Sequence, residues 1–222
     1  FKLMRWWLDK GIDGFRMDVI NMISKTPGLP DVPASGRDRY QYGGQYFLHG
    51  PRLMEFLHEM QQHALAGHDV LTVGETPGTS PQQASELTNE ESGVLSMVFQ
   101  FEHMGLDGGE SKWQVKPWSL LELKQVMTRW QKGLEGRGWN SVYLTNHDQP
   151  RALSRFGDDG VYRVESAKLL ATFTHLLQGT PYIYQGEELG MTNVAFPSID
   201  DYRDIETLNM YREVVTERGG DA

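Results

Sequence analysis

The sequence predicts an α/β fold with parallel strands, and three observations predict it. Short extended runs alternate with helical patterns along the chain, which is the order produced when helices connect parallel strands. The helical stretches carry apolar residues at i, i+3 and i+4 and open on capping signals. Three of the extended runs stop on an acidic residue, at the end of the strand where such folds place their chemistry.

Each element follows in turn. Residues 1–10 (FKLMRWWLDK) read as the tail of an amphipathic helix with no cap before it. The first extended run is 14–20. A helix over 51–66 follows, with Leu53, Leu57, Met60 and Ala64 on one face and Pro51 suited to its first turn. A strand over 69–73 ends at Gly74-Glu75. Ser80-Pro81 with Gln83 forms a capping-box start, and 95–101 is the third strand. Ser119 with Glu122 opens another helix, in which Leu123, Met127, Trp130 and Leu134 keep the helical period before Gly136. Strand 141–144, helix 164–177 ended by Gly179, and strand 181–184 complete the series. These are about five β/α units of the size that build a (β/α)8 (TIM) barrel, so a partial barrel is expected, since eight units take roughly 250 residues. Residues 25–50 form a long irregular stretch directly after the first strand, where barrel enzymes carry active-site loops.

Composition narrows the function. With 39% hydrophobic and 23% charged residues the chain is of ordinary globular type. Thirty acidic residues against 21 basic ones give a net charge of −9, a surface that repels nucleic acid and anionic membranes. No apolar run reaches the length that spans a bilayer. The absence of cysteine removes disulfides, thiolate metal sites and a cysteine nucleophile, and fits a cytoplasmic location. His58-Glu59 with His63 misses the HExxH spacing by one residue, so no zinc site is expected, and no Walker-type or dinucleotide glycine loop is present.

The candidate catalytic groups are the three acids at strand ends: Asp18, Glu75 and Asp148. An acid at a buried strand end is costly unless paired or used. Arg16 and Asp18 stand two apart and should project to one side, where the guanidinium keeps Asp18 ionised as a carboxylate nucleophile requires. Glu75 follows a glycine, has no cation beside it in sequence, and, if it faces other carboxylates, should retain a proton as a general acid does. His147, beside Asp148, can donate to a sugar hydroxyl. Two carboxylates with a third nearby is the equipment for cleaving a glycosidic bond through an oxocarbenium-like transition state. The competing structural reading makes Arg16 and Asp18 a buried ion pair and Glu75 a capping acid.

The segments around these acids, DGFRMDVIN (13–21), LTVGETPG (71–78) and LTNHDQPR (144–151), resemble signature segments of the α-amylase family of glycoside hydrolases. SMVFQFEHM (96–104), KPWSLLELKQVMTRWQKGLE (116–135), GTPYIYQGEELGMTNV (179–194) and DIETLNMYRE (204–213) resemble its oligo-1,6-glucosidase (isomaltase) and α-glucosidase subgroup, so the likeness covers nearly the whole chain. The resemblance implies Asp18 as nucleophile, Glu75 as general acid/base and Asp148 as the acid that holds and distorts the sugar. Arg16 and His147 would line the same subsite. Val19, the residue after the nucleophile, would favour α-1,6 linkages. Phe101, Glu102 and His103 would stand near the sugar, with Phe101 equally readable as core. Gln149 and Arg151 would border the acceptor side, Arg151 being equally readable as an ion-pair partner. Glu187 and Glu188 are read as loop structure.

By the same resemblance the chain would supply about strands 4 to 8 of the barrel, 1–222 being its C-terminal part. The upstream strands with a structural calcium site, an inserted domain and a C-terminal β-domain would lie outside it. Within 1–222 no cofactor or metal is expected. The expected substrates are small gluco-oligosaccharides, with the α-1,6 bonds of isomaltose-type sugars preferred. Departures at Thr76 and at Leu144-Thr145, beside catalytic positions, leave acceptor preference open among isomaltase, maltase, dextran glucosidase and trehalose-6-phosphate hydrolase. A non-catalytic scaffold role is disfavoured by retention of all three acids with Arg16 and His147.

Overall fold

A computed structural model describes residues 1–34, 41–109 and 113–220. Helix α1 (Lys2–Leu8) leads through a turn at Gly11 into strand β1 (Gly14–Met17). A single helical turn, α2 (Gly44–Phe47), lies in the irregular stretch after β1, of which residues 35–40 fall outside the described residues. Helix α3 (Leu53–Met60) continues as a π-helical turn to Leu65 and buries Leu53, Leu57, Met60 and Ala64, the face that the apolar spacing marks. Strand β2 (Leu71–Glu75) then pairs in parallel with β1, from Gly14↔Leu71 to Met17↔Gly74.

Helix α4 (Pro81–Thr88) starts on the Ser80 capping box, with the Ser80 hydroxyl accepting from the Gln83 N–H and the Gln83 side chain accepting from the Ser80 N–H. Strand β3 (Met97–Phe99) extends the parallel sheet, with Val73↔Met97 and Glu75↔Phe99. Helix α5 (Leu120–Leu134) begins where the Ser119 hydroxyl accepts from the Glu122 N–H. It buries Leu123, Val126, Met127, Trp130 and Leu134 against the sheet and α4. A parallel bridge, Val98↔Asn140, carries the pairing on toward strand β4 (Ser141–Val142). Helices α6 (Ala152–Phe156) and α7 (Arg163–Leu176) precede strand β5 (Thr180–Pro181), which pairs in parallel with β4, and α8 (Ile205–Tyr211) lies near the end.

Strand order thus follows chain order with every pair parallel, the arrangement of consecutive units in a (β/α)8 barrel. The expected partial barrel is what the structure contains. The main core sits between the sheet and helices α3, α4 and α5, with Leu57, Ala84, Leu87, Val98 and Trp130 almost without solvent contact. Boundaries differ from expectation in a consistent way. The first strand stops at Met17 and not at 20, because Val19 turns into the left-handed region. The second begins at Leu71, whose N–H donates to the Asp13 carbonyl, and runs through Gly74 and Glu75. The last strand is only Thr180–Pro181.

Candidate active site

Strand β1 ends at Met17, opposite Gly74, and one further step of that register sets Asp18 beside Glu75, the last residue of β2. Neighbours in parallel register face the same side of the sheet, so both carboxylates project together at the carboxyl ends of their strands. Arg16, two residues before Asp18, reaches both: Nη1 donates to Asp18 Oδ1, and Nη2 lies 2.9 Å from Glu75 Oε1. The carboxylate side chains differ in shelter, 77% exposed for Asp18 and 9% for Glu75. Asp18 is therefore the acid open to an incoming molecule.

The other oxygen of Glu75 is held by the backbone of β1's continuation. The Val19 N–H donates to Glu75 Oε2 at 3.1 Å. Val19 does this from φ 36° and ψ 44°, a left-handed conformation that costs a β-branched residue roughly 1–3 kcal/mol. Gly74 makes room for the turn: a Cβ there would lie 2.6 Å from Leu95 Cδ1 and 3.0 Å from Ile20 Cγ2. Asn21, fully buried, ties the same turn to the loop after β2, donating to the Pro77 carbonyl at 2.7 Å and meeting His49 Nε2 at 3.2 Å. Burial pushes His49 below its ordinary range, and its Nε2 lies 2.6 Å from Thr79 Oγ1.

Hydrogen bonding from Arg16, reinforced by its charge, holds Asp18 below the usual carboxylate range, with smaller contributions from hydrogen bonding to Glu75 and from the charge of His147. The expected pairing of Arg16 with Asp18 is present. Glu75 has no cation beside it in sequence, but in space Arg16 reaches it as well as Asp18.

The third acid lies past β4 on the turn 146–149, where Asp148 N–H donates to Asn146 Oδ1 at 2.8 Å and Gln149 N–H to the Asn146 carbonyl at 3.3 Å. His147 Nε2 is 3.2 Å from Asp148 Oδ2, and both side chains are solvent-exposed. The charge of His147 is among the lesser causes that lower Asp18.

The remaining predicted residues divide. Phe101 is part of the core packing, with its ring 6.0 Å from that of Tyr143. Glu102 is held on both oxygens by α5, by Arg129 at Oε1 and by the Trp130 indole N–H at Oε2, 2.7 Å. His103 is corrected from a sugar neighbour to a core residue, 1% exposed, with Nδ1 accepting from Gln100 Nε2 at 2.8 Å and Nε2 donating to the Tyr143 carbonyl at 2.8 Å. Gln149 uses Oε1 to accept from Arg155 at 2.8 Å. Among the described residues Arg151 links the loops after β4 and β5 without an ion pair: its N–H donates to Asn193 Oδ1 at 2.8 Å, Nη1 to the Gln185 carbonyl, and its Cζ sits 5.0 Å from the centre of the Tyr184 ring. Glu187 and Glu188 close their own turn by accepting from the Tyr184 and Gly186 N–H groups, both at 2.8 Å.

Sequence reasoning did not single out Asn21, His49, Tyr143, Asp107 or Arg155. Arg155 carried the clearest signal, a cation inside the apolar run ALSRF. Tyr143 is pushed above its ordinary range by burial first and by the charge of Glu75 second, and its hydroxyl donates to the Gln100 carbonyl at 2.7 Å. A cavity of about 1100 Å3, lined by His68, Thr72, Asn89, Ser96, Gly138 and Trp139, lies at the amino ends of the strands and away from the acids. Among the described residues no group of three His, Asp or Glu side chains could hold a metal ion, and no helix is long and apolar enough to cross a membrane.

Two neighbouring strand ends bearing acids that share one arginine, with a third acid in the loop after β4, can be compared with known proteins. The alpha-amylase catalytic-domain family matches residues 1–221. An oligo-1,6-glucosidase from Parageobacillus thermoglucosidasius is 65% identical over all of this chain, and one from Bacillus cereus is 60% identical over all of it. Each match covers 40% of the relative, so the chain spans about two-fifths of the length of these curated relatives. A crystal structure of Bacillus licheniformis trehalose-6-phosphate hydrolase superposes with a TM-score of 0.91 at 48% identity, over 99% of this chain and 39% of that one. A match of that extent, joined to acids at the expected strand ends, places the chain in the α-amylase catalytic-domain family.

Proposed function

We propose that the whole protein is a retaining α-glucosidase that hydrolyses α-1,6 bonds of short isomalto-oligosaccharides from the non-reducing end. In this reading Glu75 protonates the leaving oxygen, Asp18 forms a covalent glucosyl intermediate, and water activated by Glu75 releases α-glucose, while Asp148 and His147 hold the sugar. The observation that supports it best is the contact of one guanidinium with both Asp18 and Glu75. One guanidinium reaching both carboxylates brings them together, which is compatible with the spacing of about 5–5.5 Å in retaining enzymes. Arg16 also fits the nucleophile's need for a stable negative charge.

The two oligo-1,6-glucosidase relatives support the α-1,6 preference, and we assign Val19, the residue after Asp18, to shaping the acceptor side. Action on trehalose 6-phosphate is the second reading, because a trehalose-6-phosphate hydrolase of Bacillus subtilis is 49% identical over 95% of this chain. We assign the chain to about strands 4 to 8 of the barrel and the protein to the cytoplasm.

The test is hydrolysis of isomaltose, maltose and trehalose 6-phosphate by the full-length protein, following the anomer released. Faster release of α-glucose from isomaltose is expected, with kcat reduced on the order of 10⁴-fold or more in Asp18→Ala. Faster cleavage of maltose or trehalose 6-phosphate overturns the linkage assignment, and turnover that survives Asp18→Ala overturns the mechanism.

A further inference from the structure

We propose that Arg155 is a positioning residue for Asp148, acting through Gln149 from a buried anchor at Asp107. The inference rests on the α-glucosidase reading and adds to it the part that aims its third acid. Asp148 sits on a turn whose Asp148 and Gln149 N–H groups donate to Asn146, and these bonds fix the turn's shape but not its place in the molecule. Placement needs a link from the turn to a rigid body. Thr145 provides one, its hydroxyl donating to the Pro150 carbonyl at 2.7 Å, but Thr145 and Pro150 belong to the same loop.

Arg151 ties the loop to the one after β5, and Arg155 provides a link to a buried anchor after β3. Its Nη1 donates to Gln149 Oε1 at 2.8 Å, one residue from Asp148. Its Nε donates to Asp107 Oδ2 at 2.7 Å and its Nη2 to Asp107 Oδ1, a two-pronged pair, and Nη2 also reaches the Met104 carbonyl at 2.6 Å. Both side chains are about nine-tenths buried, 9% exposed for Arg155 and 10% for Asp107. Met104 and Asp107 belong to the segment after β3, so one guanidinium locks the β4 loop to the end of the neighbouring β/α unit. A forked pair in a sheltered place is geometrically exacting in a way that a lysine or a surface pair is not. Charge balance alone would not require the bond to Gln149, and that bond points to a positioning role.

The experiment uses the full-length enzyme with p-nitrophenyl α-glucoside and isomaltose, each variant assayed well below its own melting temperature. Arg155→Met is expected to lower kcat about 10- to 100-fold with KM changed less than about threefold, since a shift of order 1 Å in a catalytic group costs up to about a hundredfold. The pH dependence of kcat/KM should keep its inflections, because Asp18 and Glu75 are untouched. Leu123→Ala, a core truncation on α5, serves as the control for lost stability and should retain wild-type kcat. If Arg155→Met does not fold, Gln149 carries the test: Gln149→Leu should lose the same factor in kcat, and Gln149→Glu, which keeps an acceptor oxygen for Arg155, should recover most of it. Wild-type kcat in a folded Arg155→Met, or equal losses in Gln149→Leu and Gln149→Glu, overturns the inference alone. A wild-type enzyme with no turnover of either substrate removes the α-glucosidase reading and the inference with it.

Discussion

Arg16 lies on strand β1 with each of its terminal nitrogens on a different acid, and its removal should therefore be visible in the pH dependence of turnover. Asp18 is held below its ordinary range chiefly by hydrogen bonding to Arg16. In Arg16→Met that support is gone, the Asp18 carboxyl takes up its proton at higher pH, and the acidic limb of kcat/KM should move upward. An acidic limb that stays in place in a folded variant would show that Asp18 is not the group it reports. His103 yields a stability prediction. Burial lowers its pKa from an ordinary 6.5 to about 4. The unfolded chain therefore binds a proton as pH falls through 6.5, while the folded chain does not until about 4. Stability is intact above that window and falls through it, by up to a few kcal/mol. Denaturant titrations at several pH values should show the decline, and His103→Gln should flatten it. At this scale sequence disclosed the acids and the Arg16–Asp18 pair, because both depend on spacing within one strand. It could not disclose the second partner of Arg16, the grip of Arg129 and Trp130 on Glu102, or the burial of His103 against Tyr143, since each joins residues 27 to 59 positions apart through packing.

Elements were legible where a local chemical signal sets them. The Ser80 box appears with both of its reciprocal hydrogen bonds, and the buried faces of α3 and α5 are those that the helical period marks. Ser80→Ala leaves the orphan N–H of Gln83 without its partner at the start of α4 and should cost about 1 kcal/mol, read as a shift in urea midpoint at constant m-value. A loss under a few tenths of a kcal/mol would mean that the box contributes little beyond helix geometry. Strand ends were less legible, because a short apolar run does not announce where its backbone turns. The first strand reads as continuous through Ile20 in the sequence. The need to bring the Val19 N–H onto Glu75 ends it earlier, so the site overrides the propensity. Helix α7 also departs from the pattern of α3 and α5: its start and end match the sequence reading, yet Val164, Leu169 and Leu176 are exposed.

At the scale of the whole molecule, alternation of strand and helix in the sequence was sufficient to give the partial barrel, because strands that neighbour in sequence also neighbour in space. The register has a kinetic consequence. Joining β1 to β2 brings together positions 14 and 71, a separation of 57 residues, whereas joining β2 to β3 brings together 73 and 97, a separation of 24. Loop closure over the longer span costs about 0.8 kcal/mol more, before either pair has buried any apolar surface. The β2–β3 hairpinless pair, with α4 closing it, is thus the cheapest nucleus on this side of the barrel, and the nucleophile's strand joins it afterwards. Pulse-labelled hydrogen exchange during refolding of the full-length protein should protect the amides of 97–99 before those of 14–17, and the reverse order would place the nucleus elsewhere. The acid/base strand would then be in place before the strand that delivers Asp18, so the active site is among the last features of this region to assemble.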